Sequence, residues 1–403
     1  MWLWNEIQSP VSSRAVPYTK MGSNYKPMKP IVSLITPTHK TDKLLRLYES
    51  IAAQTDKRFE WVVIPNGTAD VSILPKRKWI RIVPYKDSNL NIGALKHFGF
   101  NQGKGELLAE VDHDDELMPH CVETLIANKD KADFIYSNNV VLDSGNKPYV
   151  WGPGHGWVIE EYIYKGEKIS INKAFPPFPT NFAWQWWAPN HIRAWSKKFY
   201  DKIGGHDITL KVCDDGDILC RTMIEGTIHH INDVLYVYYL HPDNTHADKE
   251  LNSWIQKHSH KMYNSYIVQM AKSWCKQNNY KVLTQEEVFH HTIKNNSVGL
   301  LTLDNLSHLA DPTAWMKRIS DILAPGGIAI INNPWEFENT NTVTEKNLRF
   351  WDKNHSKLTV NGTSLEGNYL RLTDTHIVGY YVKITPTLHL ARSVLNYSKV
   401  KLY

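Results

Sequence analysis

The sequence contains few cysteines, and their placement excludes two kinds of small-domain scaffold. Only four occur in 403 residues, and no two of them form a CxxC pair. They are Cys121, Cys213, Cys220 and Cys275. A disulfide framework needs regularly spaced pairs, and a structural zinc site needs clustered ligands. The composition therefore favours a chain that folds around a hydrophobic core in a reducing compartment.

Long apolar runs are absent as well. No segment approaches the ~20 apolar residues of a membrane-spanning helix. Residues 1–14 lack the basic start and apolar core of a secretory signal. The net charge of +5 is mildly basic and permits an anionic partner such as a nucleotide or a nucleic acid. We therefore expect a cytoplasmic chain without a transmembrane segment; the sequence indicates no oligomeric state.

From residue 31 onward, apolar runs of strand length alternate with segments of helical spacing. The predicted strands are Ile31–Thr36, Phe59–Ile64, Trp79–Pro84, Leu107–Val111 and Asp133–Leu142. The predicted helices are Thr41–Thr55, Leu95–Asn101 and Glu116–Asn128. This alternation predicts an α/β fold with a doubly wound, mostly parallel sheet.

Four polar residues follow the predicted strand Leu107–Val111. They are Asp112, His113, Asp114 and Asp115. Strands of open parallel sheets place ligands at their carboxyl ends, and neighbouring carboxylates repel each other unless a cation lies between them. Mg²⁺ or Mn²⁺ would satisfy such a group. The alternative is a solvated acidic turn in which Asp115 caps the following helix.

Three segments taken together resemble a known enzyme family. They are SIAAQTDKRFEWVVIPNGT, NIGALKHFGFNQGKGELLAEVDHDD and KIGGHDITLKVCDDGDILCR. In this order and spacing they are similar to family-2 glycosyltransferases of the GT-A fold, across about residues 31–246. The resemblance implies an inverting, metal-dependent transfer of a sugar from a nucleotide diphosphate sugar, with UDP-sugar as the expected donor. The QxxRW signature of processive members is absent, which favours addition of a single hexosyl or pentosyl unit.

The resemblance assigns a set of donor-binding residues. Those expected to contact the nucleotide are Thr36, Pro37, Thr38, Asn66, Asn91, Gly93, Lys96, Asp112 and His113. The family usually has an aspartate where Asn66 stands and an arginine where Lys96 stands, so the identity of the base stays open. Asp112-His113-Asp114 corresponds to the DxD motif, and Asp112, Asp114 and His241 are the expected ligands of Mn²⁺ or Mg²⁺.

The same resemblance assigns the acceptor side. Asp215 occupies the position of the catalytic base, which takes the proton of the acceptor hydroxyl. Asp217 and Arg221 are spaced to form an intrahelical ion pair. Asp214 either contacts the acceptor or is a helix-start residue favoured by the dipole. Trp186 and Trp187 are expected acceptor contacts, and Trp184 and Trp195 could also stack on it, although core packing is expected for at least two of these tryptophans.

The remaining chain is expected to form a second, smaller α/β unit. Residues 1–30 are an N-terminal extension, 31–249 the glycosyltransferase domain, 250–285 a helical linker and 286–403 the second domain. Part of this last region resembles a class I methyltransferase. No glycine occurs between Lys249 and Val298, so the glycine-rich turn that would hold S-adenosylmethionine is missing. We expect a degenerate, non-catalytic module.

The acceptor is left open by these observations. A glycan is one class of acceptor, and hydroxymethylated DNA bases, as modified by some bacteriophage enzymes, are another. A third hypothesis is a GT-A module that has lost catalysis and binds glycan or nucleic acid. The presence of Asp112, Asp114 and Asp215 together favours an enzyme.

Overall fold

The fold was obtained as a computed structural model. It describes residues 29–151, 158–179, 189, 191–242, 244, 249–303, 318–319, 321–332, 358–360, 363–371 and 377–382. The helices of these residues are α1 (Leu44–Ala52), α2 (Ile92–Gln102), α3 (Cys121–Asn128), α4 (Lys197–Lys202), α5 (Asp214–Glu225), α6 (Lys249–Asn278) and α7 (Gln285–His290). None of the helices described is long and apolar enough to span a bilayer.

Most strands of the first sheet are buried along nearly their whole length. Its strands are β1 (Val32–Thr38), β2 (Phe59–Pro65), β3 (Ile80–Ile82), β4 (Leu107–Glu110), β5 (Glu116–Leu117), β6 (Phe134–Leu142), β9 (Arg193–Ser196) and β10 (Ile228–Tyr239). Continuous burial, as in β2 and β6, is typical of strands covered on both faces. Between β6 and β9 the chain forms a separate hairpin of β7 (Ile159–Tyr164) and β8 (Glu167–Asn172).

The strand order of the first sheet is β3-β2-β1-β4-β9-β6-β10-β5. The pairs β3–β2, β2–β1, β1–β4 and β6–β10 are parallel. The strand β9 enters antiparallel between β4 and β6. The predicted α/β class with a mostly parallel sheet is therefore confirmed, and the antiparallel insertion of β9 is an addition that the sequence pattern did not indicate.

One predicted helix begins later than expected. Glu116 and Leu117 form the short strand β5, which pairs with Val237 and Tyr236 of β10. The helix prediction for Glu116–Asn128 was therefore wrong at its start, because pairing with a distant strand outweighed the local helical pattern. Asp115 does not cap a helix either; its Oδ1 accepts a hydrogen bond from the backbone N–H of Tyr239 at 2.9 Å.

The second sheet packs against the first domain through the long helix α6. Its strands are β11 (Lys281–Thr284), β12 (Val298–Leu303), β13 (Leu323–Asn332), β14 (Leu358–Val360), β15 (Thr363–Arg371) and β16 (Ile377–Val382). Trp274 and Ile267 of α6 belong to the same buried cluster as Phe134 of β6 and Leu300 of β12. The expected helix between the two halves is present as α6, and part of it is buried in this cluster. The second sheet begins at Lys281.

The helix α2 docks closely on the segment that leads to α5. The backbone N–H of Gly93 donates to the carbonyl of Leu210 at 3.0 Å. A Cβ added at Gly93 would lie 1.9 Å from the backbone oxygen of Asp207. Backbone cannot yield as a flexible side chain can, so only glycine permits this approach. The contact holds α2 beside the loop before α5.

We predict that Gly93→Ala destabilises the protein. Overpacking of a close contact typically costs ~1–3 kcal/mol, so the melting temperature should fall by several degrees. Gly145→Ala is the matched control, since its added Cβ would meet only a side-chain oxygen of Asp143 at 3.3 Å. Equal melting temperatures for Gly93→Ala and the parent protein would contradict the assigned packing.

Candidate functional site

The candidate site lies at the carboxyl end of β4, where β9 runs beside it. The antiparallel register places Arg193 opposite Glu110. The helix α5 begins nearby with Asp214 and Asp215, and α2 brings Lys96 to the same place. Segments that are far apart in the sequence thus supply the charged groups of one small region.

Glu110 is the centre of a buried ion network. Its Oε1 lies 2.6 Å from Nζ of Lys96, and its Oε2 lies 3.3 Å from Nη1 of Arg193. The same Lys96 Nζ is 3.0 Å from Oδ2 of Asp214, and the same Arg193 Nη1 is 3.3 Å from Oδ2 of Asp215. Each cation therefore bridges Glu110 to one of the first two residues of α5.

The network shifts the pKa values of its members. Burial alone would raise the pKa of Glu110, but Lys96 and Arg193 outweigh it and hold the pKa well below its ordinary value. Burial likewise opposes the charge on Lys96, but the carboxylates of Asp214 and Glu110 raise the pKa of the ammonium. Burial raises the pKa of Asp214 to about 6 despite the nearby Lys96. Glu110 is therefore held as a carboxylate and Lys96 as an ammonium at neutral pH.

The region keeps an excess of negative charge. Four carboxylates, those of Glu110, Asp112, Asp214 and Asp215, act on Lys96, with Arg193 as the second cation of the network. Two negative charges are left without a cation of their own. Asp112 and Asp215 are the accessible members, with 38% and 37% of their side chains exposed. The open side of the site can therefore attract a positive group.

Asp112 is held next to a histidine and a tyrosine. Its backbone N–H donates to the hydroxyl of Tyr236 at 3.0 Å. The ring of His191 stacks on that of Tyr236 with 5.0 Å between centroids. Glu110, Asp112 and His191 offer ligand atoms that all lie within 4.8 Å of one another, a spacing that suits a metal ion.

Asp114 and Asp115 face different surroundings. Oδ2 of Asp114 lies 2.7 Å from Nε2 of His241, so these two expected metal ligands contact each other directly. Asp114 is further fixed by Arg46, which donates to its backbone carbonyl. Asp115 is buried, and burial together with the charges of Asp112 and Asp114 raises the pKa of its carboxyl well above the ordinary value. Asp115 is therefore a core residue of the acidic motif.

The end of β1 and the residue after β2 are joined by hydrogen bonds, and the polar groups expected to contact the nucleotide are largely hydrogen-bonded within the protein. Thr36 is buried and its Oγ1 accepts a hydrogen bond from Nε1 of Trp61 at 2.9 Å. The backbone N–H and the side-chain amide of Asn66 both donate to the carbonyl of Thr38, at 2.9 Å each. Pro37 lies between the two threonines and is partly exposed. Nucleotide contact by these residues stays a prediction.

Other expected donor-binding residues join neighbouring segments of the protein. The side-chain amide of Asn91 lies 3.3 Å from the carbonyls of Ile208 and Thr209. Lys96 is not a surface lysine: only 14% of its side chain is exposed, and two carboxylates hold its ammonium. His113 is partly exposed with its ring edge on His39, at 5.3 Å between centroids. Lys96 thus belongs to the buried ion network, and a direct nucleotide contact by it stays a prediction.

On the acceptor side, the structure places two of the residues considered there in the core. Asp214 is 3% exposed and paired with Lys96, which fits a helix-start residue better than an acceptor contact. Trp195 is fully buried and donates to Thr222 at 3.0 Å, so it is a core residue and does not stack on an acceptor. Trp184, Trp186 and Trp187 lie outside the described residues.

The predicted ion pair of α5 is confirmed. Nη2 of Arg221 lies 2.6 Å from Oδ2 of Asp217. Arg221 also donates to the carbonyls of Ile203 and Gly205 at 2.7 and 2.8 Å. The pair therefore ties the first turn of α5 to the glycine-containing loop before it.

Three residues of the site were missed in the sequence, namely Glu110, His191 and Arg193. Glu110 is the one charged residue in the apolar run Leu107–Val111, which was a usable signal for a buried partner. Arg193 is the first residue of β9, and His191 lies just before that strand. Their place in the site became identifiable only once β9 was seen beside β4.

Comparison with known proteins points to one family. Residues 33–190 match the family described as Glycosyl transferase family 2. This segment contains Asp112 and Asp114 and ends before α5. An uncharacterized glycosyltransferase, alr2836, of Nostoc sp. is 24% identical over 211 residues, which cover 50% of this chain and 62% of the relative.

Two further proteins are similar over part of their length. The chondroitin synthase of Escherichia coli is 24% identical over 243 residues, which cover 57% of this chain and 32% of that protein. The chain thus spans less than two thirds of these curated relatives. In a crystal structure of S. aureus TarS 1-349 in complex with UDP, the sequence is 13% identical to this chain. The comparison covers 72% of this chain and 79% of that chain, with a TM-score of 0.40.

We predict that Lys96→Met is strongly destabilising. Removing one partner of a buried ion pair costs ~3–5 kcal/mol, because the remaining charge stays desolvated. The loss should be measured by denaturant unfolding. Lys168→Met is the matched control: Lys168 pairs with Glu161 at a similar 2.7 Å, but both side chains are exposed, so stability should change little.

The loss in free energy of unfolding caused by Lys96→Met, here called the deficit, should also depend on pH. Without the ammonium, the already raised pKa of Asp214 rises further, and the pKa of Glu110 rises because Lys96 is the largest of the charges that lower it. The folded protein then binds more protons than the unfolded chain, so its stability falls as pH rises. The deficit should be larger at pH 8 than at pH 5. A deficit that grows towards low pH would contradict the assigned network.

Proposed function

We propose that this chain, with its match to Glycosyl transferase family 2 over residues 33–190, is a glycosyltransferase that uses a nucleotide-sugar donor. In its specific form, the proposal is an inverting transfer of a single sugar from a nucleotide diphosphate sugar, with UDP-sugar as the expected donor, to an acceptor hydroxyl. The observation that carries it is the linkage of two carboxylate groups through one buried network. Asp112 follows β4, and Asp215 is the second residue of α5. Arg193 joins Asp215 to Glu110, and Glu110, Asp112 and His191 bring ligand atoms within 4.8 Å of one another.

Asp215 is the proposed general base. Its Oδ1 accepts a hydrogen bond from the backbone N–H of Gly216 at 2.8 Å, and its Oδ2 contacts Arg193 at 3.3 Å. Two contacts fix the direction of the carboxylate while 37% of the side chain remains exposed. An accessible and oriented carboxylate can take the hydroxyl proton as the acceptor oxygen attacks the anomeric carbon. The buried Asp214 beside it has no such access.

Asp112 and Asp114 are the proposed holders of Mn²⁺ or Mg²⁺ beside the diphosphate. Their fit to a divalent cation rests on the excess negative charge of the site and on carboxylates with imidazoles close to each of them. A bound cation would neutralise the charge that develops on the leaving diphosphate. The protein residues bind and orient this end of the donor, while Asp215 acts from the other end of the network.

The similarity to a chondroitin synthase favours a glycan acceptor over a modified DNA base. Mn²⁺-dependent hydrolysis of the donor in the absence of acceptor, blocked by a chelator, separates an active enzyme from a binding module. A thermal-shift screen of nucleotide sugars identifies the donor, and acceptor trials with glycans and with hydroxymethylated DNA follow from it. Failure of every nucleotide sugar to bind or react would contradict the proposed function.

We predict that Asp215→Asn keeps donor binding but loses transfer. The amide preserves size but cannot accept the hydroxyl proton at neutral pH, and loss of a general base costs ~10²- to 10⁴-fold in rate. The measurement is single-turnover transfer at saturating donor, with donor affinity determined separately by calorimetry.

Asp130→Asn is the control for this prediction, because 85% of the Asp130 side chain is exposed and it lies on the surface after α3. It should leave the rate unchanged. Near-normal turnover by Asp215→Asn would move the base to another residue. Loss of both donor affinity and turnover would instead assign Asp215 to structure or to the metal site.

We predict that Asp114→Ala abolishes the metal-dependent part of donor binding. The change removes a carboxylate that we assign to the cation and leaves His241 without its partner. Calorimetric titration of UDP with and without Mn²⁺ measures the effect, and a melting curve verifies folding. An affinity that still increases on adding Mn²⁺, as in the parent protein, would contradict this assignment.

A further inference from the structure

We infer that His191 is a nitrogen ligand of the divalent cation, which it binds together with Asp112. This inference rests on the proposed function, since that function requires a cation beside Asp112. The resemblance that assigned Asp112, Asp114 and His241 gave no role to His191. The structure brings His191 into the site just before β9, where it lies near Asp112, whereas His241 contacts Asp114.

The distances fit a shared cation. Nε2 of His191 lies 3.6 Å from Oδ2 of Asp112 and 3.9 Å from Oε1 of Glu110. Two ligand atoms that each lie about 2.1 Å from one octahedral cation are about 3–4 Å apart. The separations are too long for hydrogen bonds and suitable for a cation between the groups.

The imidazole is fixed in place before any cation binds. Its ring stacks on Tyr236 with an interplanar angle of 22°, and the hydroxyl of that tyrosine accepts the backbone N–H of Asp112. One aromatic side chain therefore orients both proposed ligands. Within the part of the chain that the structure describes, Nε2 of His191 is buried and makes no hydrogen bond. A buried nitrogen directed at carboxylates needs a partner, and a cation supplies it.

The neighbouring groups are less available for direct binding. Glu110 already contacts two cations, Lys96 and Arg193, and we assign it to the negative charge behind the ligands. His241 is already hydrogen-bonded to Asp114 at 2.7 Å, and binding a cation through the same nitrogen would break that bond. His191 can bind without losing a hydrogen bond of this kind.

A nitrogen ligand has a consequence for metal preference. Imidazole suits transition metals, whereas Mg²⁺ takes oxygen ligands. We therefore expect the parent protein, in the presence of UDP, to bind Mn²⁺ or Co²⁺ more tightly than Mg²⁺. Replacement of His191 should lower the affinity for Mn²⁺ and Co²⁺ more than it lowers the affinity for Mg²⁺.

Pulsed electron paramagnetic resonance of Mn²⁺ with UDP and the protein tests the assignment directly. We expect a nitrogen coupling from a bound imidazole in the parent protein, retained in His241→Ala and weakened or lost in His191→Gln. The Mn²⁺ affinity of His191→Gln should fall ~10-fold or more. Glutamine keeps a polar side chain of similar size, and the His241→Ala result is informative even if His191→Gln does not fold.

His120→Gln is the matched control, since Nε2 of His120 lies 3.0 Å from a carboxylate oxygen of Asp233 on the surface. It should alter neither the coupling nor the affinity. An undiminished nitrogen coupling in His191→Gln, or its complete loss in His241→Ala, would overturn the inference while leaving the proposed function intact. Absence of any Mn²⁺-dependent UDP binding by the parent protein would overturn the proposed function itself.

Discussion

The pairing of one buried carboxylate with two cations is the constraint on which the rest of the site depends. Glu110 is 1% exposed, and an unpaired ion in that position would cost several kcal/mol in lost hydration. Lys96 of α2 and Arg193 of β9 neutralise it from two sides. Displacing α2 or β9 would leave a desolvated charge, so the ion pairs fix these elements relative to β4.

The same two cations connect the buried Glu110 to the first two residues of α5, one of which is accessible to solvent. Lys96 continues to Asp214 and Arg193 continues to Asp215, so the start of α5 is positioned by Glu110 although no direct contact joins them. Gly93 supports this arrangement through its backbone contact with Leu210. The accessible carboxylate of Asp215 is therefore oriented by a buried guanidinium, while Asp112 is fixed by its hydrogen bond to Tyr236. Such preorganisation is what a site needs when charge has to be placed before the reactants bind.

Much of the fold could be predicted because the local sequence patterns match the strands that the sheet contains. The buried strands β1, β2, β4 and β6 appear in the sequence as apolar runs of the right length. The prediction was wrong where a distant strand decided the local conformation, as for Glu116 and Leu117. For the site, the acidic residues after β4 were recognisable from their type and position. The pairing of Lys96 with Asp214 was not, because it depends on both side chains being buried, which their spacing in the sequence does not reveal.

The sequence by itself determined the α/β pattern, the acidic motif at the end of β4 and the paired charges of Asp217 and Arg221. These features depend on neighbours within a few residues, so local periodicity and spacing are sufficient to define them. Only the tertiary structure decided that β9 enters between β4 and β6 and brings His191 and Arg193 to Glu110 and Asp112. The reason is that an antiparallel insertion is fixed by long-range strand pairing and charge neutralisation, neither of which leaves a periodic signal in the chain.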